Sequence, residues 1–195
     1  MRKAAVQRKT KETQIKVELN LDGKGVSKTK TSIGFLDHML ELFAKHGLFD
    51  LKIEAKGDLK VDQHHTVEDI GIVIGQAFAK ALGNKKGINR TGFFAFPMDE
   101  SLAVFAVDIA GRPYLKFESE FTREKINDLS SDCIPEFFQG FANELRANIH
   151  VRAFEARTDH HKAEAIFKAF GKAMKMACSK DKRALDDIPS TKGKI

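Results

Sequence analysis

Two histidine–carboxylate clusters stand 96 residues apart in a chain of 195. The first is His64-His65-Thr66-Val67-Glu68 and the second is His160-His161-Lys162-Ala163-Glu164. The same offset pairs Ile70 with Ile166, Gly75 with Gly171, Ala77 with Ala173 and Ala81 with Ala177. An offset close to half the chain length marks an internal duplication, with one cluster in each half. Four of the seven histidines lie in these clusters. Imidazole is the commonest protein metal ligand, so the chemistry they suggest is metal binding.

On an α-helix, residues four apart share a face, whereas adjacent residues diverge by about 100°. His64 and Glu68 can therefore converge on one ion while His65 points elsewhere, and the same holds for His160, Glu164 and His161. Adjacent histidines serve two ions better than one. Each ion then takes ligands from more than one segment. Nitrogen and carboxylate donors without thiolate suit Mn, Fe or Zn. One copy alone reads equally well as an ordinary helix start with a glutamate near its N-terminus. Two copies in register make that reading the weaker one.

The elements that position these residues follow from periodicity. Gln14 to Leu21 alternates Ile15, Val17, Leu19 and Leu21 with polar neighbours, the pattern of a half-buried strand. Asp22-Gly23-Lys24-Gly25 predicts a tight hairpin, with Val26 to Ser32 as its polar return strand. Leu36, Met39, Leu40 and Phe43 predict a helix over Phe35 to His46, stopped by Gly47. A strand over Leu48 to Ala55, a loop over Asp58 to Gln63 and a helix from about His65 to Leu82 complete the half. The second half predicts strands at Phe93–Phe96, Leu102–Ile109 and Tyr114–Glu120, with Gly111-Arg112-Pro113 as a turn. Then follow a helix over Pro135 to Leu145, a strand over Asn148 to Ala156 and a helix over His160 to Ala177. The buried stripe of that last helix is Ile166, Phe167, Phe170 and Met174. The expected fold is α/β in layers: duplicated halves, 1–92 and 93–195, packed as one unit. Each is a mostly antiparallel four-stranded sheet with two helices on one face. The 16 Phe residues are expected in the core. Asp186 to Ile195 reads as a polar, mobile tail.

A hydrophobic content of 42% is enough for a core of this kind. No apolar run approaches the roughly 18 residues of a membrane span. The basic segment Met1 to Thr10 has no apolar stretch after it and does not read as a signal peptide. Cys133 and Cys178 read as free thiols of a reducing cytosol. A net charge of +6 invites an acidic partner. The charge is spread along the chain and not interleaved with aromatics, which disfavours nucleic acid and leaves a small phosphorylated metabolite.

Further motifs appear in order: Gly34-Phe35-Leu36-Asp37-His38-Met39-Leu40, Asp62-Gln63-His64-His65, Pro97-Met98-Asp99-Glu100, Gly111-Arg112-Pro113-Tyr114 and Asp159-His160-His161. Together they closely resemble the imidazoleglycerol-phosphate dehydratase family of histidine biosynthesis, from Arg8-Lys9-Thr10 to Pro189-Ser190-Thr191-Lys192-Gly193. The resemblance implies a cytoplasmic, manganese-dependent lyase, with two Mn2+ per active site. It would remove water from D-erythro-imidazole-glycerol phosphate to give imidazole-acetol phosphate. The metal ligands it implies are His38, His64, His65, Glu68, His160, His161 and Glu164. An eighth falls on Glu136, where many family members have His; a carboxylate also binds manganese. The resemblance also implies a homo-oligomeric shell of about 24 subunits with active sites shared between them.

The hydrogen to be removed has no neighbouring carbonyl to acidify it. Metal ions on the two ring nitrogens would act as Lewis acids. In the mechanism implied by the resemblance, the imidazolate then expels the hydroxyl, and loss of a side-chain proton gives an enol that becomes the ketone. The acid–base residues carried over are Glu12, His46 and Asp99. The substrate-binding residues are Glu12, His38, His46, His64, Glu68, Arg90, Arg112, His160, Lys168, Ser190, Thr191 and Lys192. Taken singly, Glu12 reads as a surface carboxylate, His46 as a helix C-terminal cation and Arg112 as an exposed turn residue. Three rivals remain: a binuclear hydrolase, a non-catalytic metal scaffold and a nucleic-acid-binding domain. No second catalytic domain is legible.

Overall fold

The computed structural model describes residues 2–154 and 156–195. Among them, strands β1 (Lys3–Lys9), β2 (Thr13–Asn20) and β3 (Ser27–Lys30) lead to helix α1 (Gly34–Gly47), strand β4 (Asp50–Gly57) and helix α2 (His64–Leu82). The second half runs β5 (Thr91–Met98), β6 (Ser101–Asp108), β7 (Tyr114–Glu118), β8 (Lys125–Ile126), β9 (Leu129–Ser130), α3 (Cys133–Leu145), β10 (Asn148–Ala153) and α4 (Asp159–Cys178). Among the described residues, no helix is long and apolar enough to cross a membrane.

The two four-stranded sheets have matching orders, β1-β2-β4-β3 and β5-β6-β10-β7. Two of the three pairings in each are antiparallel and one is parallel. Alternation fixes which face is covered. Ile15, Val17 and Leu19 of β2 and Ala103, Phe105 and Val107 of β6 are buried. Their neighbours Lys16, Glu18 and Leu102 face outward. Helix α2 covers β1, β2 and β4, and α4 covers β5, β6 and β10. Across the middle, α2 packs on α3 and α1 on α4.

Phe residues fill this junction. Phe43 of α1 stacks on Phe170 of α4 with centroids 4.1 Å apart, and Phe141 meets the same ring edge-on at 5.0 Å. Phe43, Phe137, Phe138, Phe141, Phe167 and Phe170 are fully buried. Burial of each contributes about 2–3 kcal/mol. Helix crossings this close need glycine. A Cβ on Gly71 of α2 would stand 2.1 Å from the Phe137 carbonyl oxygen, and one on Gly171 of α4 would stand 2.6 Å from that of Phe43.

Both expected hairpins are absent. Asp22–Gly25 does not return β3 beside β2, and Gly111–Pro113 does not return β7 beside β6. In each half the later strand, β4 or β10, inserts between them. The apolar side of β4 carries Leu51, Ile53 and Ala55, all buried. The polar Ser27–Lys30 segment has no such face and takes the edge. Asp50 fastens the crossover by accepting from the backbone amides of Lys24 and Val26 at 2.8 and 3.2 Å. Strand β1 has no counterpart in the sequence reading. Its inward side offers only Ala4, Val6 and then Arg8, which pairs with Asp69 at 2.9 Å.

The offset of 96 belongs to α2 and α4 alone. Strands β2 and β6 superpose at 88, placing Thr13 on Ser101 and Glu12 on Glu100. Helices α1 and α3 and strands β4 and β10 correspond at 98, placing His38 on Glu136 and Leu51 on Ile149. The extra length before α3 is taken up by the β8–β9 hairpin. Its Asp128 accepts from the amides of Gly34 and Phe35 at 2.6 and 2.8 Å, capping α1. The tail beyond α4 is docked rather than free. Gly87 N donates to Asp187 O at 2.7 Å, and Arg90 Nη1 donates to Pro189 O at 2.9 Å.

Candidate active site

Four side chains from α1 and α4 meet at the N-terminal ends of these helices. His38 Nε2 lies 3.2 Å and His160 Nε2 3.0 Å from the same oxygen, Glu164 Oε1. Lys168 Nζ lies 2.6 Å from Glu164 Oε2. The i,i+4 spacing puts His160, Glu164 and Lys168 on one helical face, and the α1–α4 crossing brings His38 to it. Phe35 meets the His160 ring edge-on at 5.0 Å. Burial pushes the Glu164 carboxyl up, but Lys168, His38 and His160 outweigh it and hold it at about 2. His38, His160 and Glu164 offer two nitrogens and a carboxylate oxygen mutually within 4.8 Å, a donor set that suits manganese, iron or zinc.

The adjacent histidines diverge. Rings of His160 and His161 stand 6.1 Å apart and 89° to one another, and those of His64 and His65 6.1 Å and 81°. His161 Nδ1 reaches Glu100 at 3.0 Å, with Asp99 at 3.8 Å. His65 Nδ1 reaches Asp58 at 3.1 Å, with Glu12 at 4.0 Å. The hydrogen bond to His161 draws the Glu100 carboxyl down to about 2. The Asp58 hydrogen bond raises the pKa of His65.

The remaining sequence candidates fall in three places. His64, exposed, and Glu68, half-buried, form a pair 3.7 Å apart. Glu136 occupies in α3 the place of His38 in α1, half-buried. No ion pair joins it to His64 among the described residues. His46, near the end of α1, meets Phe96 edge-on at 5.1 Å. Arg90, Arg112, Ser190, Thr191 and Lys192 line one cavity of about 360 Å³. There Arg90 grips Asp108 through two bonds of 2.6 and 2.8 Å. Asp58 and Glu100 were missed by the sequence reading. The 88-residue offset that sets Glu100 on Glu12 was the available signal for one; Asp58, in a loop without periodicity, offered none.

His46 is depressed below its ordinary 6.5 by burial first, then by Lys168 and Lys172. The folded chain therefore prefers the neutral ring. Below pH 6.5 the unfolded chain binds the extra proton more readily, so this histidine's contribution to stability falls with pH. His46→Gln is expected to make apparent melting temperature less acid-sensitive below pH 6.5. Above pH 7 the slope should match the parent's. Parallel curves throughout would show that His46 is not held neutral.

A family model described as imidazoleglycerol-phosphate dehydratase matches residues 31–174. The chain is 51% identical over 193 residues to the imidazoleglycerol-phosphate dehydratase of Koribacter versatilis, covering 99% of each. It is 55% identical over 193 residues to that of Caldanaerobacter subterraneus subsp. tengcongensis, again covering 99% of each. The crystal structure of the Pyrococcus furiosus enzyme in complex with (S)-C348 superposes with a TM-score of 0.84 at 35% identity, covering 97% of this chain and 100% of that one. The Staphylococcus aureus enzyme superposes with a TM-score of 0.82 at 39% identity, covering 91% of this chain and 98% of that one. By sequence and fold alike, the chain belongs to the imidazoleglycerol-phosphate dehydratase family, hydro-lyases of histidine biosynthesis.

Proposed function

We propose that this chain is a manganese-dependent enzyme that removes water from D-erythro-imidazole-glycerol phosphate to give imidazole-acetol phosphate, in the cytoplasm. The observation that carries this reading is the meeting of His38, His160, Glu164 and Lys168 at one point. Two imidazoles and a carboxylate fit a divalent ion, and two ions would be held by His38, His64, His65, Glu68, Glu136, His160, His161 and Glu164. Manganese bound there would supply Lewis acidity to the substrate's imidazole, making the ring a better electron source for loss of the neighbouring hydroxyl.

The chain's own groups handle the protons. One carbon loses a proton to a base, the next loses hydroxyl as water with a proton from an acid, and the resulting enol shifts to the ketone. Glu12 is exposed, and His65 Nδ1, its ion-pair partner among the described residues, stands 4.0 Å away, beyond hydrogen-bond reach, so its carboxylate is available to act at substrate. Neutral His46 can accept a proton at neutral pH. Asp99, largely exposed beside His161, is the third candidate. Arg90, Arg112, Ser190, Thr191 and Lys192 supply the cations and hydroxyls that phosphate requires.

The phosphate cavity and the His160 cluster lie at opposite ends of α4. Arg90 N donates to Ala177 O at 3.0 Å. From His160 to Ala177 the helix rises about 25 Å. The substrate extends about 10 Å at ordinary bond lengths. One copy's cavity and cluster are therefore too far apart to hold the same molecule, which supports sites completed by neighbouring copies; the proposed assembly is the homo-oligomer of about 24 subunits that the family resemblance implies. Small phosphorylated imidazole substrate and other copies of the chain are the proposed partners; nucleic acid and membrane are not.

His160→Ala and Arg90→Ala, each inactive alone, are expected to regain about a quarter of parental turnover when unfolded together and reassembled, because one site in four would receive both native residues. Turnover of imidazoleglycerol phosphate is followed by release of the ketone product. A mixture no more active than the separate variants would place the whole site in one subunit.

A further inference from the structure

Two carboxylates outside the ligand set occupy the Nδ1 atoms of the two outward histidines. Asp58 Oδ2 stands 3.1 Å from His65 Nδ1, and Glu100 Oε2 stands 3.0 Å from His161 Nδ1. A histidine whose Nδ1–H is given to a carboxylate presents Nε2 as its free donor, with the ring held in one orientation. The other Asp58 oxygen, Oδ1, is buried and has no hydrogen-bond partner among the described residues. The Asp58 side chain thus has no hydrogen-bond duty there besides His65. Glu100 Oε1 also accepts from Thr158 N at 3.3 Å, and the Thr158 hydroxyl accepts from His161 N at 3.2 Å. Ring and helix start are fixed together.

The two carboxylates do not come from equivalent places. Glu100 sits in the β5–β6 turn, where the first half has Glu12 in the β1–β2 turn. Asp58 follows β4, and the matching position after β10 is Ala156, which has no side-chain acceptor. In the first half the loop carboxylate takes His65, and Glu12 is left at 4.0 Å. In the second half no such carboxylate is present at Ala156, and the turn glutamate itself takes the histidine.

We infer that Asp58 and Glu100 are positioning residues that present Nε2 of His65 and His161 for metal binding, and that Asp58, by holding His65, frees Glu12 for the substrate. This rests on the metal-binding reading proposed above. The duplicated halves therefore differ where the reaction needs them to: one turn glutamate remains available for proton transfer while its counterpart is committed to a ligand.

The test is Mn2+ affinity of the full protein, measured by equilibrium dialysis with free Mn(II) counted by its electron paramagnetic resonance signal. Asp58→Ala and Glu100→Ala are each expected to weaken one class of Mn2+ site about 10- to 100-fold. Asp58→Asn and Glu100→Gln retain an oxygen acceptor for Nδ1–H and should recover much of that loss, which a general folding defect would not. Glu12→Gln should leave Mn2+ affinity at the parental value. Parental affinity in folded Asp58→Ala and Glu100→Ala would overturn the inference, as would an equal loss in Glu12→Gln. A parental chain that binds no Mn2+ would instead overturn the metal reading, and this inference with it.

Discussion

Glu164→Ala is expected to lower kcat/KM by about 10³-fold or more. Its two oxygens serve three partners, with His38 and His160 on one and Lys168 on the other. Removing one preorganised hydrogen-bonding group that stabilises the reacting centre ordinarily costs about 10²–10³-fold. Here the same change also removes a proposed metal ligand and leaves two imidazoles without their common acceptor. Stability should fall as well. The Lys168 side chain is only 12% exposed, and an ammonium left there without its carboxylate costs about 3 kcal/mol. The pH dependence has a definite sign. The Glu164 carboxyl is held at about 2 against an ordinary 4.5. Its stabilising contribution is therefore present above pH 4.5 and lost as pH falls towards 2. The gap in apparent melting temperature between parent and variant should be full at pH 7 and narrow below 4.5. An active variant, or a gap independent of pH, would show that Glu164 does not organise this cluster.

Gly71→Ala is expected to destabilise the chain by about 3 kcal/mol, although it adds one methyl group. The added carbon would stand 2.1 Å from the Phe137 carbonyl oxygen and 2.9 Å from its carbonyl carbon. Backbone cannot rotate away as the end of a side chain can. Helices α2 and α3 must separate, and with them His64 and Glu68 at the head of one and Glu136 at the head of the other. Apparent melting temperature and turnover should fall together. A fully stable, active Gly71→Ala protein would show that the two helices are not held at this distance.

Local periodicity made the four helices legible because each buries an apolar stripe that recurs every three to four residues. Leu36, Met39, Leu40 and Phe43 mark α1 as plainly in the sequence as in the core. Strand order was not legible. Asp22-Gly23-Lys24-Gly25 has hairpin composition, yet whether β3 lies beside β2 depends on a competitor 20 residues further on, and β4 wins by its apolar face. That is a comparison between distant segments, which no local window contains. The β8–β9 hairpin is too short for any period and draws its order from Gln63 and the head of α1. Gln63 Nε2 donates to Asp128 O at 2.6 Å, and Ser130 N donates to Gln63 Oε1 at 2.8 Å.

The site divides in the same way. His64, His65, His160 and His161 were legible because adjacent histidines repeated in register are rare and have a helical geometry with consequences. The pairing of His38 with α4 was not a matter of spacing, since 122 residues separate His38 from His160; it follows from the α1–α4 crossing. The duplication was visible through α2 and α4, whose offset is constant. The insertion before α3 and the shorter loop before α4 hide the correspondence of Glu12 with Glu100, which the matching registers of the two sheets disclose. That Arg90 and His160 lie a helix length apart within one chain also depends on how β5 lies along α4, which the order of residues does not disclose.

Dehydration is proposed to depend on manganese held by the joined histidines and carboxylates. Turnover of imidazoleglycerol phosphate is measured with metal-stripped, assembled protein, before and after Mn2+ is returned. No imidazole-acetol phosphate is expected from the stripped protein, and product should return once Mn2+ is added. Full turnover by protein shown to be free of metal, or none after Mn2+ has bound, would show that the reaction does not run on this metal.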